Sequence, residues 1–93
     1  MEKLTDFFRA AAKDPRITAM HILIYAALWE CWHRDHFQSP VFISRKKIMG
    51  MTKISSIATY HKYMKELHRF GYIDYEPSYK PRMGTNVCFL PCT

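Results

Sequence analysis

The chain has 93 residues, a net charge of +6, 48% hydrophobic and 15% aromatic content, and three cysteines. That length makes one small domain and leaves no room for a second core, and the apolar share excludes general disorder. The charge is unevenly placed: residues 1–36 hold five Lys/Arg and five Asp/Glu, whereas residues 37–93 hold nine Lys/Arg and three Asp/Glu. A neutral half joined to a basic half suggests a scaffold face and a face for a polyanion, with nucleic acid first and an anionic membrane surface second.

In chain order, Leu4, Phe7, Phe8, Ala11 and Ala12 recur at i, i+3, i+4, i+7, i+8. This predicts an amphipathic helix of about three turns over residues 2–13. Its start does not read as a signal peptide. Asp14-Pro15 ends it, because the residue before proline is pushed out of the α region. A second helix is expected from near Thr18, as N-cap, to about Arg34. Its run from Ala19 to Trp32 is apolar nearly all round, with His21 and Glu30 as exceptions. A membrane span needs about 20 apolar residues, so this is read as the central buried helix. Its apolar excess, Trp29 and Trp32 included, would be covered by the first helix or by a second subunit.

His36 to Pro40 reads as a turn and Val41-Phe42-Ile43 as a short strand. Ser44 caps a helix from Arg45 to about Met51, with Ile48 and Met49 inward and Arg45, Lys46 and Lys47 outward. Gly50 to Lys53 is expected to form the turn that follows. From Ser55 the chain shows a helical stripe at Ile57, Tyr60, Met64 and Leu67. Ser55, Thr59, Lys62, Lys65 and Arg69 fall in one arc opposite, at about 100° per residue. Gly71 offers the left-handed residue that closes such a helix. Tyr72 to Glu76 and Asn86 to Leu90 read as strands. Between them lies a proline- and glycine-bearing loop with Lys80 and Arg82 at its tip.

This order of helix, helix, strand, helix, helix, strand, loop, strand resembles the winged helix-turn-helix DNA-binding domains, with one extra helix at the N-terminus. The stretch Thr59-Tyr60-His61-Lys62-Tyr63-Met64-Lys65-Glu66-Leu67-His68-Arg69-Phe70-Gly71-Tyr72-Ile73 is similar to the recognition helix and wing start of many bacterial regulators. The run Ala58 to Lys62, with Tyr75-Glu76-Pro77-Ser78-Tyr79 and Gly84, is similar to small winged-helix proteins of bacterial conjugative and other mobile elements. The resemblance covers roughly residues 18–90, though the turn from Gly50 to Ser56 is longer than usual.

It implies a mainly α fold with a small β-hairpin (α+β). The units would be an N-terminal helix at 1–14, expected to dimerise the chain, and a winged helix domain at 15–93. It also implies sequence-specific binding of double-stranded DNA by a homodimer, as a transcriptional regulator or a recombination or excision accessory factor. The DNA-contacting residues would be Arg45, Lys46, Lys47, Lys53, Ser55, Ser56, Thr59, His61, Lys62, Lys65, Lys80 and Arg82. Lys46, Lys47 and Lys53 would hold phosphates. Ser55, Thr59 and Lys62 would reach base edges, His61 either one, and Lys80 and Arg82 would act from the wing. The alternative is a winged helix used as a protein-interaction module without DNA binding.

No other chemistry is indicated. Cys31, His33, His36, Cys88 and Cys92 lack the spacing of zinc sites. There is no glycine-rich phosphate loop and no nucleophile elbow. Neither an enzyme, a cofactor nor a metal is expected. The odd cysteine count forms no evident disulfide framework and suits a reducing cytoplasm, where a DNA-bound chain would sit on the nucleoid.

Overall fold

The period of 3.6 that runs through residues 2–13, 19–34 and 57–69 is realised as helices in the computed structural model, which describes residues 2–34, 36, 41–76 and 85–89. In order these are α1 (Glu2–Lys13), α2 (Ala19–Arg34), β1 (Val41–Ile43), α3 (Arg45–Thr52), α4 (Ile57–Arg69), β2 (Ile73–Glu76) and β3 (Thr85–Phe89). The fold is mainly helical with a small antiparallel sheet. Its strands run in the order β1-β3-β2. Val87, on the central strand, faces Val41 on one side and Tyr75 on the other. Alternation along the strands sends Ile43, Ile73, Tyr75, Val87 and Phe89 to the core, as a sheet with one buried face requires.

The core forms where α2 meets α3, α4 and the sheet. Ile24, Leu28, Ile48, Met64 and Leu67 are fully buried there. α1 closes one side. Phe7 lies flat on Tyr25 with ring centroids 3.7 Å apart, and meets Tyr72 edge-on at 5.2 Å. The α1 stripe is therefore divided: Phe7 and Ala11 are buried within the chain, while Phe8 is exposed. On α2 the apolar excess is only partly used, with Leu23 exposed and Ile22 and Trp29 half-buried.

The linker after α1 is tied to the far end of the domain. Asp14 accepts hydrogen bonds from the Arg16 backbone N–H (3.0 Å), from Arg16 Nε (2.9 Å) and Nη2 (2.8 Å), and from the Tyr72 hydroxyl (2.8 Å). The Arg16 guanidinium lies 4.3 Å from the centre of the Phe70 ring. The Arg16 side chain, then its backbone N–H and the Tyr72 hydroxyl, hold the Asp14 carboxyl well below the usual carboxylate range. A carboxylate whose folded pKa is depressed stabilises the fold above its unfolded pKa, near about 4, and loses that contribution as pH falls through the folded value. Asp14→Asn should thus melt below the parent at neutral pH. The gap should close as the medium is acidified below about pH 4.

Two corrections concern α3. Its glycine does not make the turn: the helix continues through Gly50 to Thr52. The left-handed position falls instead on Lys53, at φ 63° and ψ 21°, and the Ile54 N–H reaches back to the Met49 carbonyl at 3.1 Å. A glycine thus occupies an exposed helix interior where a Cβ would meet open space, and a lysine occupies a conformation that glycine adopts freely. Each choice costs about 0.5–1 kcal/mol. Gly50→Ala and Lys53→Gly should each raise the denaturation midpoint.

Candidate nucleic-acid interface

Ser44 caps α3 from an extended backbone at φ −104°, its hydroxyl accepting the Lys47 N–H at 3.4 Å. The cap fixes which residue turns inward. Ile48 is buried and Met49 half-buried, and Arg45, Lys46 and Lys47 are all exposed in the first turn. No acid accompanies them there. Helix termini favour the opposite arrangement, with carboxylates in the first turn, by about 0.3–1 kcal/mol per charge at low salt.

Ser56 caps α4 in the same way, accepting the Thr59 N–H at 3.2 Å from a backbone at φ −95°. This sets the helix start at Ile57. The other end closes as a Schellman turn. Gly71, at φ 88°, donates to the His68 carbonyl at 3.1 Å, and Tyr72 donates to the Leu67 carbonyl at 3.0 Å. Between these ends Tyr60, Met64 and Leu67 are buried, and Ala58, Lys62, Lys65 and Arg69 are exposed on the opposite arc.

Glu66 is the sole acid between residues 45 and 69, and it is turned away from that arc. Its Oε1 lies 2.8 Å from Nε2 of the buried His21. The Thr18 backbone N–H donates to His21 Nδ1 at 2.9 Å, so Nδ1 accepts and Nε2 carries the proton toward Glu66. Arg69 Nη2 stands 3.8 Å from the second carboxylate oxygen. The one negative charge of this region is thereby committed to α2 and to the edge of the basic arc.

On the flank toward the sheet, His61 is half-buried, with Nδ1 3.4 Å from the Tyr75 hydroxyl. Burial first, then the charges of Arg45 and Lys65, push its pKa below the ordinary imidazole value. Arg45 on α3 and Lys65 on α4 thus converge on His61. Lys47 lies on the other side of α3. Its charge, with that of Arg34, offsets part of the upward push that burial gives the Cys31 thiol.

Each sequence-predicted residue can now be placed. Arg45, Lys46, Lys47, Lys53, Ser55, Ser56, Lys62 and Lys65 are exposed. Thr59 is half-buried, on the flank of α4 shared with Tyr63 and Glu66 and off the centre of the outer arc. Lys80 and Arg82 lie outside the described residues. Ile57 departs from the reading that put it in the inward stripe: it is 49% exposed. The first turn of α4 lies at the margin of the core that Tyr60, Met64 and Leu67 enter, so the stripe is only half covered there. Ala58 beside it is exposed as well. The signal that could have marked both is the cap, since residues next to an N-cap lie at the tip of a helix.

Cys31 is a free, buried cysteine, whereas Cys88 is disulfide-bonded. The disulfide is a departure from the expected lack of a framework, because bonding follows proximity in the folded chain rather than motif spacing. Among the described residues no three of His, Cys, Asp and Glu gather as metal ligands, and no helix is long and apolar enough to cross a membrane. Compared with models of protein families, with curated proteins and with solved structures, the chain matches none.

Proposed function

We propose that this chain is a winged helix-turn-helix domain that binds double-stranded DNA with sequence preference, α4 lying in the major groove and α3 supporting it. The carrying observation is the basic outer surface of α3 and α4. Arg45, Lys46, Lys47, Lys53, Lys62, Lys65 and Arg69 are exposed, and Glu66, the one acid between residues 45 and 69, is held by His21. Cations in the first turn of α3 weaken that helix by its own electrostatics, and a bound phosphate would relieve the cost. The role best suited to such a domain is transcriptional regulation, or recombination or excision on a mobile element.

A random-sequence duplex titrated at several salt concentrations tests the reading. Phosphate contacts make the association constant fall steeply with salt. Binding that is absent, or flat in salt, would transfer the case to the protein-interaction module.

A homodimer completes the proposal. Phe8 on α1 and Leu23 on α2 are exposed apolar side chains that a second copy could cover. Sedimentation should show a dimer for the whole chain and a shift toward monomer for Phe8→Glu, with helical content unchanged. A parent that stays monomeric at high concentration removes the dimer from the proposal. With two-fold symmetry the preferred site would be a near-palindrome with half-sites about one helical turn apart.

A further inference from the structure

Ile57 opens α4 with 49% of its surface in water, a larger fraction than Phe8, Leu23 or Met51. Nothing local calls for it. Ser56 supplies the cap, and a β-branched side chain is a poor choice for an exposed helical position. Ala58 next to it is too small to shield it, and Ser55 and Ser56 before it are exposed and polar.

Lysines flank it along the chain. At i+8 stands Lys65, two turns on and beyond His61, which the charges of Arg45 and Lys65 help to keep neutral. Lys62 is exposed on the other side of Ala58, and Lys53 precedes the helix across the turn. An exposed apolar side chain on a helix whose outer arc carries Lys62 and Lys65 is poorly matched to an apolar protein surface, which would bury those cations unpaired. It is well matched to the major groove. There phosphates line both rims, and the floor carries one apolar substituent, the C5-methyl group of thymine.

We infer that Ile57 is a specificity-determining residue that packs on a thymine C5-methyl group in the major groove, with Ala58 widening the apolar contact. The inference rests on the DNA-binding reading and names what its helix selects. Lys65 and Arg45 hold the flanking phosphates, Lys62 reaches a base edge, and Ile57 sets a preference for thymine over cytosine at the pair it covers.

The test uses the full chain and a duplex selected for tight binding from a random pool. Each thymine of that duplex is replaced in turn by uracil, which pairs identically and lacks only the methyl group. The parent should lose about fourfold in affinity at one or two positions per half-site, the size expected for one buried methyl group. Ile57→Ala should bind thymine and uracil equally at those positions, keep the parent's salt slope and melt at the parent's temperature. Ile57→Val should retain most of the difference. A parent indifferent to every replacement overturns the inference while leaving DNA binding intact, as does an Ile57→Ala variant that still loses fourfold at the same thymine. A marked fall in the melting temperature of Ile57→Ala would return the residue to the core. Absence of any salt-dependent duplex binding would remove the DNA reading and this inference together.

Discussion

Leu67→Ala is expected to destabilise the domain by about 2–5 kcal/mol, the range for emptying a fully buried leucine site. Leu67 has no exposed surface. It stands two turns from Tyr60 on the inward side of α4, and its carbonyl accepts the Tyr72 N–H that closes the helix. The loss is large against a total stability of about 5–15 kcal/mol for a small domain. Chemical denaturation should show the midpoint falling steeply, and duplex binding should disappear with the fold. The same experiment on Tyr60→Phe should give the opposite sign or no change. Among the described residues the buried Tyr60 hydroxyl has no hydrogen-bond partner, and burial pushes its pKa well above the ordinary tyrosine value. Removing a buried, unsatisfied polar group recovers a desolvation cost of about 1–3 kcal/mol, less the small gap it leaves. Equal losses in both variants would mean that the ring positions, not the hydroxyl, dominate this part of the core.

Arg45→Ala and Lys62→Ala should separate holding DNA from reading it. Arg45 opens α3, and its charge meets that of Lys65 at His61, so it faces the place where a groove rim would lie. Its loss should weaken selected and random duplex about equally and reduce the salt slope by about one unit. Lys62 is exposed at the centre of the outer arc of α4, with Nζ 5.3 Å from the centre of the Tyr63 ring. Its loss should weaken the selected duplex by about 1–3 kcal/mol more than the random one. Lys47, on the α2 side of α3, should matter less than Arg45. Thr59→Ala should have a smaller effect on selectivity than Lys62→Ala, because half of that side chain is already committed to the protein. Titrations of each variant against both duplexes over a salt series check all four. Identical behaviour of Arg45→Ala and Lys62→Ala would make α4 a backbone-holding helix.

Much of this was legible before any coordinates. The helical stripe, the Ser44 cap and the Gly71 exit are local rules, and local rules suffice for Ser44, Tyr60, Met64 and Leu67, while the sequence leaves the start of α4, at the Ser56 cap, open within a residue or two. Where the reading failed, a non-local fact decided. Periodicity gives the direction of a helix face but not how far the core extends along it, so Ile57 looked inward while its turn lies at the core's margin. Lysine does not favour the left-handed region, and only the geometry that carries α3 into α4 puts Lys53 there. The pairing of His21 with Glu66 spans 45 residues of sequence. Sequence shows each as an exception on its own helix and gives no sign that one answers the other. Phe7 and Phe8 are neighbours in one stripe, and only the position of Tyr25 decides which of them is buried.

The seat of Phe7 between Tyr25 and Tyr72, with Asp14 bound to the Tyr72 hydroxyl, makes α1 part of the domain's single cooperative unit. α1 cannot detach without exposing two aromatic faces and releasing the start of β2, so its opening approaches the cost of global unfolding and its inner amides should share the slow hydrogen exchange of α4. If a second copy docks on Phe8, the helix that receives the partner is the helix that completes the monomer. Folding and association then draw on the same element, and the melting temperature should climb with protein concentration.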